Sequence, residues 1–259
     1  MYIGVTGFTN REQVRAVLER TPLDIRAGGP RLMVGVLMSY RTLRGMPASN
    51  PKRYPAREDV FGIFQESPDC LNLVHYNTRE QRDLAHQLED ALGWAGPLCD
   101  GIQLNVVWPD PKAIQSLKLA RPRVKIVLQI NSGTMEACNN DAVRVASRMS
   151  EQYASLIDYV LVDHSGRRGE PLEPVHAMAY LTELMYQREF AGAAYQLGVA
   201  GGLCADNLSR LLLPIKRMMP SINIDAEGGL RTDDNLDIDK VLAYLGAAKS
   251  FFSRSDARF

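Results

Sequence analysis

Leu197-Gly198-Val199-Ala200-Gly201-Gly202-Leu203 and Ile222-Asn223-Ile224-Asp225-Ala226-Glu227-Gly228-Gly229-Leu230 are two apolar runs that each break into paired glycines. Cys204-Ala205-Asp206-Asn207-Leu208 follows the first, and a polar turn with a periodic helix follows the second. Each reads as a strand that passes through a turn into a helix. Glycine lets backbone N–H groups approach an anion closely, and a helix N-terminus adds partial positive charge. Side by side, Gly201 and Gly202 with Gly228 and Gly229 make a phosphate cradle that needs no lysine. Either turn alone is equally well an ordinary connection. Their succession at the end of a βα series gives them weight.

The rest of the chain repeats the same unit. A strand at residues 2–7 precedes a helix over 11–20, with Asn10 as its cap. Leu32-Met33-Val34-Gly35-Val36-Leu37-Met38 is an unbroken apolar run, as suits a parallel strand buried on both faces. Residues 40–57, rich in Pro, Arg and Ser, read as a long irregular loop of the kind that carries function, and a helix over 58–66 follows. Strands at 71–76, 100–106 and 124–130 come next. The first leads to a helix with Leu84, Leu88 and Leu92 on one face, the second to a helix opening near Pro111. The third leads to a long helix ending near Tyr153. The sixth strand, 159–163, feeds a glycine-containing loop and a helix over 174–190. The last helix carries Ile238, Val241, Leu242 and Leu245 as an amphipathic stripe. Eight strands alternating with eight helices in 259 residues predict an α/β protein, a (β/α)8 TIM barrel forming one domain over residues 1–259. An open doubly wound sheet is the alternative, but the first βα turn lacks its glycine fingerprint.

Composition narrows the partners. A formal net charge of zero gives no reason to expect nucleic acid or an anionic membrane. No apolar stretch reaches the ~20 residues that span a bilayer. Met1-Tyr2-Ile3-Gly4-Val5-Thr6-Gly7 reads as a strand and not as a signal peptide. Cys70, Cys99, Cys138 and Cys204 are scattered without metal-binding spacing, so free thiols and a cytoplasmic location are expected. Neither a metal nor a cofactor is expected. The expected partner is a small phosphorylated molecule, and a homodimer is compatible with the sequence.

In a barrel the site lies at the C-terminal ends of the strands. That rule selects Thr6, His75, Asn105, Gln129, Asp163, Asp225 and Glu227. Asp163 ends an apolar strand just before Gly166-Arg167-Arg168-Gly169, a position that suits a general acid or, alternatively, a loop anchor. Asp225 is placed to hydrogen-bond a hydroxyl or amine of a bound sugar. His75 serves either as an acid or base near neutral pH or as a structural histidine. His164 alternates to the opposite face from Asp163, and His86 and His176 read as solvent-facing helix residues. The basic residues at 41, 44, 52, 53 and 57 stand ready to clamp an anion from the long loop.

Seven segments in order carry a resemblance. They are Gly7-Phe8-Thr9-Asn10 with Glu12, Pro51-Lys52-Arg53-Tyr54, Asn77, Gln103-Leu104-Asn105, Leu161-Val162-Asp163 with Gly166 and Gly169, Ala200-Gly201-Gly202-Leu203 with Asn207, and Asp225-Ala226-Glu227-Gly228-Gly229-Leu230. Over nearly its whole length the chain resembles the phosphoribosylanthranilate isomerase family, barrel enzymes of tryptophan biosynthesis. The resemblance implies an Amadori rearrangement of a ribosylamine, with Asp163 as general acid on the furanose oxygen. It implies that Arg53 meets the substrate carboxylate, that Asp225 contacts substrate, and that the glycine pairs hold phosphate. Thr6 stands where the family has its catalytic cysteine, Gly4 where it has a lysine, Asn105 a histidine and Glu227 a serine. An isomerase therefore needs a replacement for the thiolate, and His75 and Glu227 are the candidates. Action on a different sugar phosphate and non-catalytic binding of a phosphorylated metabolite remain open as alternatives.

Overall fold

The computed structural model describes residues 1–21, 29–163 and 172–253. Eight strands close into a barrel in chain order: β1 (Tyr2–Thr6), β2 (Arg31–Ser39), β3 (Cys70–Asn77), β4 (Gly101–Asn105), β5 (Lys125–Asn131), β6 (Tyr159–Asp163), β7 (Gln196–Ala200) and β8 (Asn223–Ala226). Neighbouring strands are parallel throughout, and β8 returns to β1 with Ile3 opposite Ile224 and Val5 opposite Ala226. The helices of the outer ring include α1 (Arg11–Arg20), α3 (Arg57–Ile63), α4 (Leu84–Ala95), α5 (Pro111–Ala120), α7 (Ala142–Tyr153), α8 (Pro174–Phe190), α9 (Leu208–Met218) and α10 (Ile238–Ser253). Short α2 (Tyr40–Leu43) and α6 (Ser132–Glu136) follow β2 and β5 directly.

Strand alternation sorts the buried residues into two sets. Ile3, Val5, Val34, Val74, Ile102, Leu128, Val162 and Ile224 face outward and pack with helix residues such as Val14, Leu88, Ile114 and Leu245 in one continuous core. Tyr2, Met33, Leu71, Leu73, Val127 and Leu161 form a separate cluster that fills the barrel interior. Tyr2 meets Tyr159 edge to face at 5.3 Å within this plug. Burying each large side chain contributes roughly 1.5–3 kcal/mol, so the plug both stabilises the barrel and closes its lower end. The space for chemistry is left at the C-terminal end of the strands.

Asn223 closes the ring where β8 meets β7 and β1. Its Oδ1 accepts from the Tyr2 amide at 2.8 Å, and its Nδ2 donates to the Leu197 carbonyl at 2.8 Å. Removing the amide leaves a buried N–H and C=O unpaired, each costing about 1–3 kcal/mol. Asn223→Ala is therefore expected to lower stability by about 2–4 kcal/mol in urea titration, and a loss within error of zero would contradict this.

Two expectations about local structure need correction. The long helix expected after β5 is two helices, α6 and α7. Asn139 and Asn140 between them adopt φ of 57° and 55°, a left-handed conformation that asparagine tolerates and a continuous helix does not. Asp141 then caps α7 by accepting from the Val143 and Arg144 amides. The irregular loop after β2 begins with the one-turn α2, because Ser39 and Thr42 form a reciprocal capping box. The loop after β6, with His164, Gly166, Arg167, Arg168 and Gly169, lies outside the described residues.

Candidate functional site

The inward positions of the strands become polar above the apolar plug. Thr6, His75, Gln103, Gln129 and Asp225 are all buried there, although each sits in a strand whose other residues are mainly apolar. The cause is period-2 alternation: every second residue of a strand faces the barrel axis. Space matters too. A Cβ at Gly4 would stand 2.7 Å from Asp225 Oδ1, so glycine at this position leaves room for the carboxylate.

These side chains join into one chain of hydrogen bonds across the barrel. The Thr6 hydroxyl donates to Asp225, 3.0 and 3.1 Å from its two oxygens. Gln103 Nε2 donates to Asp225 Oδ2 and to Gln129 Oε1, both at 3.3 Å. Gln129 Nε2 in turn donates to Asp163 Oδ2 at 2.6 Å. Asp225 and Asp163 thus stand at two points of one network, the first buried and the second half-buried at the mouth. Burial pushes the Asp225 carboxyl up to about 7, against the opposing effect of its Thr6 and Gln103 hydrogen bonds. Burial pushes the His75 imidazole down to about 4, so this histidine is neutral at physiological pH.

A rim surrounds the network. Asn105 accepts from Asn131 Nδ2 at 2.8 Å, and Asn131 also caps α6. Arg53 reaches from the long loop to Glu227 at 3.7 Å and Asp234 at 3.3 Å. Lys52 joins the same contact by donating to the Asp233 carbonyl at 2.9 Å. The other basic residues of the loop turn elsewhere. Arg41 donates to the Pro47 carbonyl, Arg44 pairs with Asp90, and Arg57 binds the Leu43 carbonyl and lies over the Trp94 ring. Arg53 and Lys52 are the two that approach the mouth.

The two glycine turns do lie side by side. Gly201 and Gly202 take φ of 128° and 57°, which side chains disfavour. Asn207 fixes this turn by accepting from the Cys204 amide and donating to the Gly202 carbonyl. A Cβ at Gly229 would run into the Leu203 carbonyl, so the second turn packs closely on the first. The expected helix N-terminus does not follow Gly228 and Gly229 directly. They open a single 3-10 turn (Gly228–Leu230), then a hairpin of β9 (Arg231–Thr232) and β10 (Asn235–Leu236). Asp233 and Asp234 both adopt positive φ at its tip, and α10 begins only afterwards.

Gln103 and Arg231 escaped sequence reasoning as members of the site, and Gln129 was selected without a role. Gln103 and Gln129 are the links of the network, and their signal was an amide at inward parity inside an apolar strand. Arg231 is buried beside Glu227 at 3.5 Å and donates to the Asp234 carbonyl at 2.7 Å. Among the histidines, His86 is exposed as expected, whereas His176 is half-buried with its ring against Tyr180 at 5.0 Å. Among the described residues no cluster of His, Cys, Asp or Glu is arranged to hold a metal ion. No helix among them is long and apolar enough to cross a membrane. A cavity of about 470 Å³ opens at the opposite end of the barrel, lined by Met185, Arg188, Met218, Met219 and Pro220 among others. Its lining has no carboxylate or histidine side chain, so the acid–base groups place the candidate site at the C-terminal end.

The phosphoribosylanthranilate isomerase of Pyrococcus furiosus superposes with a TM-score of 0.63 at 19% identity, over 96% of this chain and 99% of that one. The likeness is one of fold. The enzyme of the same name from Thermus thermophilus gives 0.62 at 15% identity over 96% and 99% of the two chains. Triosephosphate isomerase from Bartonella henselae gives 0.55 at 12% identity over 96% and 98%. No family model and no curated protein sequence matches the chain. The protein is thus a TIM barrel with a phosphoribosylanthranilate isomerase-like fold.

Proposed function

We propose that this barrel is an isomerase that acts on a phosphorylated sugar by an aldose–ketose, Amadori-type rearrangement. The observation that carries the reading is the network joining Thr6, Asp225, Gln103, Gln129 and Asp163 across the mouth. It places two carboxyl groups on one hydrogen-bonded path, Asp225 buried within the barrel and Asp163 at the mouth, and proton transfer to and from a sugar needs two such groups. Asp163, oriented by Gln129, gives its proton to the ring oxygen as the C1–O bond breaks and the lone pair of the substrate nitrogen forms C1=N. Asp225 then accepts the proton from C2, the C2–H electron pair forms C1=C2 as the C1=N pair returns to nitrogen, and the resulting enol tautomerises to the ketone. Thr6 supports that step by donating to Asp225 and is not itself the base. Of the two stand-ins suggested for the thiolate, His75 is too weak a base when buried, and Glu227 is engaged with Arg53 and Arg231. The glycine turns of β7 and β8 hold the phosphate, and Arg53 receives an anionic substituent.

Purified protein is expected to convert phosphoribosylanthranilate slowly, read as loss of anthranilate-type fluorescence. Thr6→Cys is expected to keep or raise that rate. No change above buffer in either protein overturns this substrate. Turnover of another aldose phosphate would keep the acid–base pair and change only the group carried on the sugar.

A further inference from the structure

We infer that His75 and Gln103 form an uncharged subsite that binds a pair of neighbouring sugar hydroxyls inside the barrel. The inference rests on the sugar-phosphate reading above and specifies which part of the sugar is recognised. His75 and Gln103 face each other in register on adjacent strands β3 and β4, and both are more than nine-tenths buried. Both ring nitrogens of His75 and the Oε1 of Gln103 have no hydrogen-bond partner among the described residues. Buried polar atoms are nearly always paired, so three unpaired atoms on one inward layer mark where a ligand supplies partners.

The chemistry of the three atoms selects the ligand. A neutral imidazole carries one N–H donor and one acceptor nitrogen, and the Gln103 oxygen adds a second acceptor. An anion only accepts, so it would leave both acceptors unpaired beside Asp163 and Asp225. An ammonium group only donates, so it would leave the imidazole N–H unpaired. A hydroxyl donates once and accepts as well. Two adjacent hydroxyls bridge the pair, one donating to Gln103 Oε1 and the other pairing with the ring nitrogen nearer to it, while the second ring nitrogen points to the far side of the ring and pairs with a non-adjacent hydroxyl of the same sugar. The other amide arm of Gln103 is already committed to Asp225 and Gln129, which holds the acceptor oxygen in place.

The test uses unreactive ligands. Calorimetry compares a pentitol 5-phosphate with pentyl phosphate, which has the same chain length and no inner hydroxyls, and with inorganic phosphate. The pentitol phosphate is expected to bind at least about tenfold more tightly than pentyl phosphate, the scale of one well-formed buried hydrogen bond. His75→Phe removes a side chain that has no hydrogen-bond partner among the described residues and is expected to erase that preference while pentyl phosphate binds as before. In the wild-type protein the His75 ring 15N resonances, assigned by their loss in His75→Phe, are expected to move with pentitol phosphate and not with inorganic phosphate. Equal binding of the two phosphates, or a preference that survives His75→Phe, overturns the inference. If no phosphate compound binds, unphosphorylated pentitol at millimolar concentration decides. A His75 shift then upholds the subsite and removes the phosphate reading, and its absence removes both.

Discussion

Asp163→Asn is expected to lower the turnover of phosphoribosylanthranilate by about 10²–10⁴-fold, the usual contribution of a positioned acid or base. The substitution is nearly isosteric, and an asparagine carbonyl accepts from Gln129 Nε2 much as Asp163 Oδ2 does at 2.6 Å. What disappears is the group that the proposed mechanism uses as its proton donor. Phosphate binding should persist, because the glycine turns belong to β7 and β8 and do not depend on the charge at the end of β6. The expected signature is therefore a fall in kcat with little change in KM and unchanged affinity for inorganic phosphate. Unchanged kcat would remove Asp163 from the chemistry, and a matching loss of phosphate affinity would make it a structural anchor.

Stability as a function of pH should expose two buried groups working in opposite directions. The folded carboxyl of Asp225 titrates at about 7, well above its ordinary 3.8. Between about pH 4 and 7 the folded protein therefore holds a proton that the unfolded chain has released. Its contribution falls as pH rises through that window and is flat outside it. His75 is the reverse case, with its folded imidazole at about 4 against an ordinary 6.5. There the unfolded chain holds the extra proton, so the contribution of His75 rises with pH across the same region. At about 1.36 kcal/mol per pH unit, each amounts to roughly 3–4 kcal/mol, and in the wild type the two largely offset each other.

Single variants should separate them. Relative to wild type, Asp225→Asn is expected to gain stability steadily from pH 4 to 7, because the declining contribution is gone. His75→Gln is expected to lose stability over pH 4 to 6.5 by a similar amount. Urea titrations at a series of pH values measure both differences. A difference curve for Asp225→Asn that is flat across the window would show that the carboxyl titrates in the ordinary range.

Much of this architecture could be read before any coordinates. The eight parallel strands announce themselves as continuous apolar runs, because they are covered on both faces, and the order of βα units then leaves a barrel as the economical closure. The site was legible only in part. Asp163 and Asp225 were recognised from their places at strand ends, yet the bond between Thr6 and Asp225 spans 219 residues and exists only because β8 closes on β1. Periodicity within a strand carries no information about such a pair. His75 was visible as an inward histidine, but its lack of partners among the described residues and its neutrality depend on what the other strands place around it. The break between α6 and α7 was obscured because asparagines 139 and 140 sit in a segment otherwise compatible with helix. Only their left-handed backbone shows that the chain turns there.

The contact of Arg53 with Glu227 and Asp234 has a consequence for how a charged ligand enters. On the proposed reading an incoming carboxylate competes for this cation with the protein's own acidic groups. Capture at this position is an exchange, and its strength is the difference between two similar attractions. Dissolved salt weakens both sides of such an exchange, so ionic strength should affect it less than it would a vacant arginine. The displaced side chains belong to the segment from the end of β8 to the β9–β10 hairpin, so the same event would loosen one tie between the long loop and that segment and leave the bond from Lys52 to the Asp233 carbonyl.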